Sequence, residues 1–408
     1  MKRYQKVLLL TAGILVIGGG ILATAGLAMG GVPGFWITEK GIQTAEDIRG
    51  TFVEKKVPLS DVSSLDINCV EGNVEFLLGD DFHLEYGYDD AFLSVKNEKK
   101  DGICHFTSDY VKQAGWYGAG FFWGDTVNSK ESYVRIYVPR GTKLKDLNLV
   151  NEYGKIKMDI NGAGCEKTVM KMESGSAWVN GLTSGHTEVQ AEYGDVEMED
   201  CDVGKMTLKG EGGSYRLSDI QAEEMKLEEM YGEIALSRIS GGIMTVKSES
   251  GNTKIEEMSG KELSLVNEYG EITMQNVTTD TFVHIKSGDS GNIRIQDIKT
   301  GQMKLETEGG DVEGKKVELG TADIQVAYGK CELYELNAKD VKVSSESGNV
   351  KLAMAGKEKE YQMSLMTEFG EVSVNGKKQG NNILLEREKA KRKLEVKSEE
   401  GNIRVDTE

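Results

Sequence analysis

The chain of 408 residues contains very little proline, histidine and cysteine. With 3 prolines against 50 glycines, we expect glycine to form most of the turns. The 4 histidines show no HxH or HxxxH spacing of the kind that zinc sites use. The 5 cysteines have no CxxC spacing, which excludes a disulfide-rich scaffold and leaves Cys69 and Cys104 as the one candidate bridging pair. Cys201 and Cys331 occupy apolar positions and are predicted to be core residues.

Catalytic motifs and excess positive charge are absent as well. The sequence has no G-x-S-x-G element, no P-loop and no dinucleotide-binding fingerprint. A net charge of -18 without a basic patch disfavours nucleic acid as a partner. Because carboxylates are plentiful, a polysaccharide-cleaving enzyme stays open as an alternative, although no pair of carboxylates stands out. We therefore expect no catalytic residue, no cofactor and no nucleic-acid partner.

The N-terminal region contains the one long apolar run. From Val7 to Gly31 no residue is charged, which is long enough to cross a hydrocarbon core of about 30 Å. Basic residues precede the run, so the positive-inside bias places the N-terminus in the cytoplasm and the following chain outside. We predict a tail and transmembrane anchor at residues 1–35 and a linker at residues 36–57. A cleaved signal peptide is the alternative, because small residues from Ala23 stand at cleavage spacing.

A nine-residue stretch, VNEYGKIKM from Val150, returns as VNEYGEITM from Val266. Apolar residues two and four positions after its glycine, and five before it, alternate with polar ones, which indicates two short strands around a turn. Equivalent glycines recur, mostly 19 residues apart, at positions 154, 175, 194, 213, 232, 251, 270, 291, 310, 329, 348, 370 and 401. One such unit cannot bury its apolar face, whereas stacked units share a core. The sequence predicts an all-β fold, with a β-solenoid of about 13 coils over residues 146–408.

The position just before each repeat glycine alternates between large and small residues. In chain order the residues are Tyr153, Ser174, Tyr193, Gly212, Tyr231, Ser250, Tyr269, Ser290, Gly309, Tyr328, Ser347, Phe369 and Glu400. Under a packing interpretation, each ring is buried in the turn and needs a small residue on the next coil. Under a functional interpretation, a row of tyrosines binds sugars.

Acidic residues stand two positions before the glycine on eleven of the thirteen coils. This acidic ridge consists of Glu152, Glu173, Glu192, Glu211, Glu249, Glu268, Asp289, Glu308, Glu346, Glu368 and Glu399. Like charges one strand apart are unfavourable unless they are solvated or neutralised, and hard cations take oxygen ligands. The ridge is therefore either a solvated surface or a divalent-ion site, with Glu152, Glu173, Glu192, Glu211, Glu249 and Glu268 as candidate ligands.

Residues 58–145 read as shorter strands between turn signals and predict a β capping region. Gly72 already follows the coil pattern, so the solenoid could begin there. An aromatic segment, AGWYGAGFFWG from Ala114, predicts a loop that grips a ligand or touches a membrane, or alternatively folds over the cap. Its aromatic residues are Trp116, Tyr117, Phe121, Phe122 and Trp123.

Four features of the sequence together resemble a known family. They are the apolar anchor, the LDI and GNVEF opening, the VRIYVPRG step and the serial EYG and ESGN turns. Over residues 58–408 the chain resembles the bacterial putative-adhesin family of membrane-anchored β-strand-repeat envelope proteins. The resemblance implies a surface-exposed, non-enzymatic role and transfers no functional residues. We expect a binding or structural module outside the bacterial cell membrane, with cell-wall glycan, a surface ligand or a neighbouring membrane protein as partner. An accessory of an envelope-stress response is an alternative function.

Overall fold

The computed structural model describes residues 50–111 and 130–408, and the backbone of three short strands elsewhere. The larger of two compact units comprises Lys56–Glu85, Lys96–Thr107 and Tyr133–Glu408 and carries the repeats. The predicted membrane anchor lies outside the described residues, as do Trp116, Tyr117 and Trp123. Within the described part of the chain, no helix is long and apolar enough to span a bilayer.

The strands before the regular repeats are short. They are β1 (Gly34–Thr38), β2 (Gly41–Thr44), β3 (Phe52–Pro58), β4 (Ser64–Glu71), β5 (Asn73–Leu78), β6 (His83–Asp89), β7 (Leu93–Lys100), β8 (Ile103–Tyr110), β9 (Phe121–Phe122) and β10 (Tyr133–Val138). In the smaller unit, β1 pairs antiparallel with both β2 and β9. The two phenylalanines of the predicted aromatic loop thus form a strand.

The regular coils follow, and each is one long bent strand rather than two separate ones. They are β11 (Lys143–Asp159), β12 (Gly164–Asn180), β13 (Thr183–Gly212, two coils), β14 (Tyr215–Tyr231), β15 (Ile234–Ser250), β16 (Thr253–Tyr269), β17 (Ile272–Ser287), β18 (Ile293–Gly309), β19 (Val312–Tyr328) and β20 (Cys331–Ser347). Neighbouring coils pair in parallel, with equivalent residues side by side. This pairing confirms the all-β solenoid with its 19-residue repeat.

The first coil forms earlier than residue 146, as Gly72 indicated. Strands β4 and β5, on either side of Gly72, pair in parallel with β11, so that Ile156 lies beside Val74. On its other edge β5 pairs with β10, where Val134 also lies beside Val74. The edge of this half-coil is therefore covered by a strand of the region that was predicted to form the cap.

The C-terminal coils do not stack in chain order. They consist of β21 (Val350–Met354), the short 3-10 helix η1 (Glu358–Glu360), β22 (Tyr361–Phe369), β23 (Val372–Val374), β24 (Lys377–Lys378), β25 (Asn382–Leu385), β26 (Arg392–Glu400) and β27 (Ile403–Thr407). Strand β26 pairs in parallel with both β20 and β22, so the last coil of the sequence is inserted before the one that precedes it. The outer edge of β22 is covered by β25, which runs antiparallel to it.

This exchange corrects the predicted count of 13 coils. About 11 turns of the 19-residue repeat follow one another in chain order, from β11 to the coil of β20 and β21. The remaining two units, which contain Gly370 and Gly401, exchange places at the end. Parallel coils with identical edges can be stacked in either order, because each presents the same row of backbone donors and acceptors.

The core is aliphatic, and its positions follow the sequence pattern. Residues five before and two after the repeat glycine are buried, as Leu227 and Ile234 illustrate. All five cysteines are buried and none forms a disulfide, so the candidate pair Cys69 and Cys104 is not bridged. Cys201 and Cys331 occupy core positions as predicted, with Cys201 beside Ile220 on the next coil.

The repeat glycines form a column at which successive backbones approach closely. A Cβ atom at Gly213 would collide with the carbonyl oxygen of Gly194, and one at Gly232 would collide with that of Gly213. Gly213 also has a φ of 137°, a conformation that disfavours any side chain. Glycine is therefore required for two reasons. The turn needs a positive φ, as the sequence predicted, and the neighbouring coil leaves no space for a side chain.

A second bend, six residues after the glycine, was not predicted. Eight residues there have positive φ although each carries a side chain: Asp200, Asp219, Arg238, Glu257, Asn276, Asp297, Lys316 and Glu335. All are exposed except the half-buried Asp297, and neighbours can pair, as where Arg238 donates two hydrogen bonds of 2.7 and 2.6 Å to Asp219. The sequence does contain a signal for this bend, because a pair of polar residues interrupts the alternation of polar and apolar residues in each coil.

The glycine column yields a test within one turn. Gly213→Ala should destabilise the protein by about 2 kcal/mol or more, because the new methyl group meets backbone at positive φ. At Gly212 a Cβ would lie 3.5 Å from Cδ1 of Tyr193, an ordinary contact, so Gly212→Ala should change stability by less than about 0.5 kcal/mol. Guanidinium unfolding followed by circular dichroism measures both, and equal losses would refute the close-approach explanation.

Candidate functional site

The aromatic residues before the repeat glycines lie on the surface, which overturns the packing interpretation. Tyr231 is 66% exposed and Phe369 is 73% exposed. The other members, Tyr153, Tyr193, Tyr269 and Tyr328, are exposed as well. Since successive coils lie about 4.8 Å apart, tyrosines on every second coil are spaced by roughly 10 Å along the solenoid axis.

The acidic ridge runs directly beside these rings. Glu173, Glu192, Glu211, Glu249 and Glu268 are exposed, and Glu152 is half-buried. We call the two adjacent columns, the rings at position -1 and the acids at position -2 from the repeat glycine, the aromatic–acidic edge. It presents flat apolar rings and negative charge together to solvent.

Hydrogen bonds link the two columns at the N-terminal coils. The hydroxyl of Tyr153 donates to Glu173 on the next coil at 3.0 Å, and that of Tyr193 donates to Glu211 at 3.4 Å. The hydrogen bond to Glu173 raises the pKa of Tyr153, and the charges of the surrounding ridge glutamates raise it further. The edge therefore has a negative field that favours cationic groups.

No metal centre accompanies the ridge in residues 50–111 and 130–408, where no group of three or more His, Cys, Asp or Glu could hold an ion. The divalent-ion interpretation of Glu152, Glu173, Glu192, Glu211, Glu249 and Glu268 stays a prediction. Of the histidines, His284 contacts Glu306 at 3.0 Å and His105 contacts Asp66 at 2.9 Å. Glu306 also pairs with Lys304 at 2.9 Å, and Asp66 also accepts a hydrogen bond of 2.7 Å from Asn148.

Behind the edge, position -3 from the glycine faces the interior and is mostly small and polar. Asn267 donates a hydrogen bond of 2.8 Å to the carbonyl oxygen of Gly251, and Asn151 donates one of 3.1 Å to that of Gly72. In both cases the acceptor is the repeat glycine of the preceding coil. The two copies of the VNEYG stretch thus serve the same purpose, which is to satisfy a carbonyl group at the crowded turn.

Glu229 is the exception in this interior column. Its side chain is 2% exposed, and neither carboxyl oxygen has a hydrogen-bond partner among the described residues. It has room because Gly210 lies beside it on the preceding coil, where a Cβ would collide with its carboxyl group and with the ring of buried Tyr215. Burial raises the pKa of Glu229 to about 7.

Near the C-terminal end, the position -2 acids form one wall of a groove with a volume of about 480 Å³. The opposite wall consists of residues at equivalent positions on six neighbouring coils, namely Lys286, Glu306, Gln325, Ser344, Lys397 and Met366. Because these residues follow the stacking direction, the groove runs along the solenoid axis for about 24 Å. Sequence analysis identified its acidic wall but not the groove, since the order of the last coils was unknown.

Comparison of the sequence with models of protein families identifies the family of this chain. The model of the Toastrack DUF4097 family matches residues 62–257 and again residues 242–406. The chain belongs to this family. The membership predicted from its turns is thereby confirmed. A comparison with curated proteins finds no match.

Several solved structures are similar to this chain. A putative adhesin from Bacteroides fragilis is 16% identical, with 65% of this chain and 97% of that one covered and a TM-score of 0.34. A putative adhesin from Parabacteroides distasonis is 12% identical, with 72% and 97% covered and a TM-score of 0.29. A putative cell adhesion protein from Clostridium sporogenes is 11% identical, with 88% and 99% covered and a TM-score of 0.17.

Two tyrosines that differ in burial test the exposure of the edge. Tyr231→Ala should change the free energy of unfolding by less than about 0.5 kcal/mol, because the ring is largely solvated. Tyr215→Ala should destabilise by about 3 to 5 kcal/mol, because that ring is fully buried and its hydroxyl donates to the carbonyl oxygen of Lys209 at 2.8 Å. Denaturant midpoints provide the comparison. A large loss for Tyr231→Ala would restore the packing interpretation.

The buried carboxyl group predicts a pH dependence of stability. Glu229 has an ordinary pKa of 4.5 and a folded-state pKa of about 7, so the folded protein holds this proton more tightly. The resulting stability is fully present below pH 4.5 and is lost as the pH rises through 7, by about 3 kcal/mol in total. Glu229→Gln, which stays neutral, should gain stability relative to wild type across this window.

Glu228 supplies the matched control for that pH series. Its carboxylate contacts Lys226 at 2.8 Å, and the hydrogen bond from that lysine lowers its pKa. Glu228→Gln should therefore show no gain between pH 4.5 and 7. The buried-carboxyl account fails if urea titrations show that Glu229→Gln and wild type differ by the same amount at every pH in this range.

Proposed function

We propose that this protein is a non-catalytic binding module that holds extended ligands along its aromatic–acidic edge. The observation that carries the proposal is the exposure of the aromatic column. Large rings in a regular row on the surface are not needed for the core, and exposed aromatic patches mark interaction sites. The rings stack on apolar faces of a ligand, and the ridge carboxylates accept hydrogen bonds from its hydroxyl or ammonium groups.

The solenoid supports a binding role rather than catalysis because it repeats the same groups on coil after coil. A repeated surface provides many weak contacts with a repetitive ligand, and their combined strength exceeds that of any one contact. An enzyme would instead need a convergent group of reactive residues. Cell-wall glycan, which has a repeating structure and apolar ring faces, fits such a surface.

The location in the cell belongs to the same proposal. The apolar run from Val7 to Gly31 would hold the module at the bacterial cell membrane as a single-pass protein, with the solenoid outside. The aromatic segment with Trp116, Tyr117, Phe121, Phe122 and Trp123 would then provide a second contact with ligand or membrane. This placement rests on the sequence alone.

Binding of the full-length protein to isolated cell-wall glycan tests the proposal. Replacing Tyr153, Tyr193, Tyr231 and Tyr269 together by alanine should weaken binding by at least about tenfold, because each exposed ring supplies part of the contact. The variant should unfold at the denaturant concentration of the wild type. Serine-to-alanine changes at Ser174 and Ser250, on the intervening coils, serve as controls and should leave binding unchanged.

Two other results would redirect the assignment. Unchanged binding by the tyrosine variant, combined with loss of binding on deletion of Ala114 to Gly124, would move the site to the aromatic segment. Release of reducing sugar from the glycan, abolished by changing one carboxylate pair, would contradict the non-catalytic role.

A further inference from the structure

The axial groove at the C-terminal coils lies between two walls, the position -2 acids and the position -4 side chains. Its position -2 wall carries Glu308, Glu346, Glu399 and Glu368, interrupted by Ala327. On the opposite wall, Gln325 and Ser344 at its centre are uncharged. A ligand can therefore lie between the walls and contact both, which is impossible on a flat face.

Three carboxylates on successive coils set the charge preference of the groove. The pairing of β20, β26 and β22 places Glu346, Glu399 and Glu368 side by side at about one strand spacing, 4.8 Å. No ion pair links any of these three to a cation within the described part of the chain. Like charges at this spacing repel each other, and an ammonium group between them would relieve that repulsion.

The groove as a whole is acidic despite two lysines. Its lining contains five glutamates against Lys286 and Lys397, and Lys397 already contacts Glu395 at 3.0 Å. Charge complementarity therefore favours a cationic ligand over an anionic one.

Two exposed rings stand beside the carboxylates. Tyr328 and Phe369 belong to position -1 and follow Ala327 and Glu368 directly in the chain. Because the last two coils exchange places, three coil steps separate these rings, roughly 14 Å along the axis. The rings do not line the groove but stand just outside its position -2 wall, one near each end of the carboxylate row. A ligand that extends over this row can reach both, which suits a chain of sugar rings with apolar faces.

We propose that this groove binds a linear glycan with free amino groups, lying parallel to the solenoid axis. Its ammonium groups contact Glu346, Glu399 and Glu368, while its sugar rings contact Tyr328 and Phe369. The inference rests on the proposed binding function and narrows it to a ligand class and one end of the edge.

Calorimetry with the full-length protein and short β-1,4-linked glucosamine oligomers tests this assignment. Replacing Glu346, Glu399 and Glu368 together by glutamine should weaken binding by about tenfold or more, since each contact with an ammonium group is lost. The matched control replaces Glu152, Glu173 and Glu192 by glutamine, because these acids lie in the same column on three successive coils but outside the groove. Because these three acids belong to the binding edge but not to the groove, the control should weaken binding several times less than the groove triple does.

Ligand variants separate the charge from the sugar. The N-acetylated oligomer should bind at least about tenfold more weakly than the free amine, and equal binding would overturn the role of the ammonium groups. Spermine, a linear amine without sugar rings, should bind more weakly than the amino glycan, and equal affinity would overturn the glycan assignment.

The two proposals fail in different ways. Equal weakening by both glutamate triples would remove the groove as the site while leaving the binding edge intact. Retained glycan binding after the fourfold tyrosine change, with loss only in the groove triple, would support the groove and contradict the extended edge. The absence of any amino-glycan binding, alongside tyrosine-dependent binding to cell-wall glycan, would overturn the groove proposal alone.

Discussion

Parallel pairing of backbones at one strand spacing is the constraint on which the remainder of this solenoid depends. Coils held about 4.8 Å apart leave no room for a side chain at the inner side of the tight turn. A Cβ at Gly348 would collide with the carbonyl oxygen of Gly329, and a Cβ at Gly401 would collide with that of Gly348. Glycine is therefore required on coil after coil, and every other column takes its position relative to that turn.

The same turn explains why the rings face outward. Positions -5 and -3 point into the core, and strict alternation would send position -1 inward too. Positions +2 and +4 also point inward, however, which requires the alternation to shift by one residue across the turn. Tyr231, at the point of this shift, consequently lies on the convex side of the corner, next to the ridge glutamates. Turn geometry thus produces the aromatic–acidic edge.

Much of this architecture could be predicted from the sequence because it depends on period and alternation. The coil length, the buried columns, the first turn at Gly72 and the core positions of Cys201 and Cys331 all follow from those patterns. The direction of the tyrosines could not be predicted in this way, since large and small residues alternate equally well in a core and on a surface. The burial of Glu229 could not be predicted either. It stands only one position before the column of ridge acids, but its own column, position -3, faces the interior.

The order of the last coils could not be predicted from the repeat pattern, for a different reason. Coils with equivalent edges are interchangeable, and specific contacts determine the choice. Arg392, the first residue of β26, donates hydrogen bonds of 2.6 Å to the carbonyl oxygen of Ala355 and 2.8 Å to the hydroxyl of Tyr361. These contacts hold β26 beside β22. The exchanged order in turn brings Glu346, Glu399 and Glu368 together to build the groove wall.

Chemical modification of tyrosines, mapped by mass spectrometry, tests the central claim most directly. The account predicts rapid nitration of Tyr153, Tyr193, Tyr231, Tyr269 and Tyr328 in the folded protein, and protection of the buried Tyr215 and Tyr361. Denaturation should remove the difference. Protection of the repeat tyrosines to the same degree as Tyr215 would show that the rings are packed inside the solenoid and would contradict the binding edge.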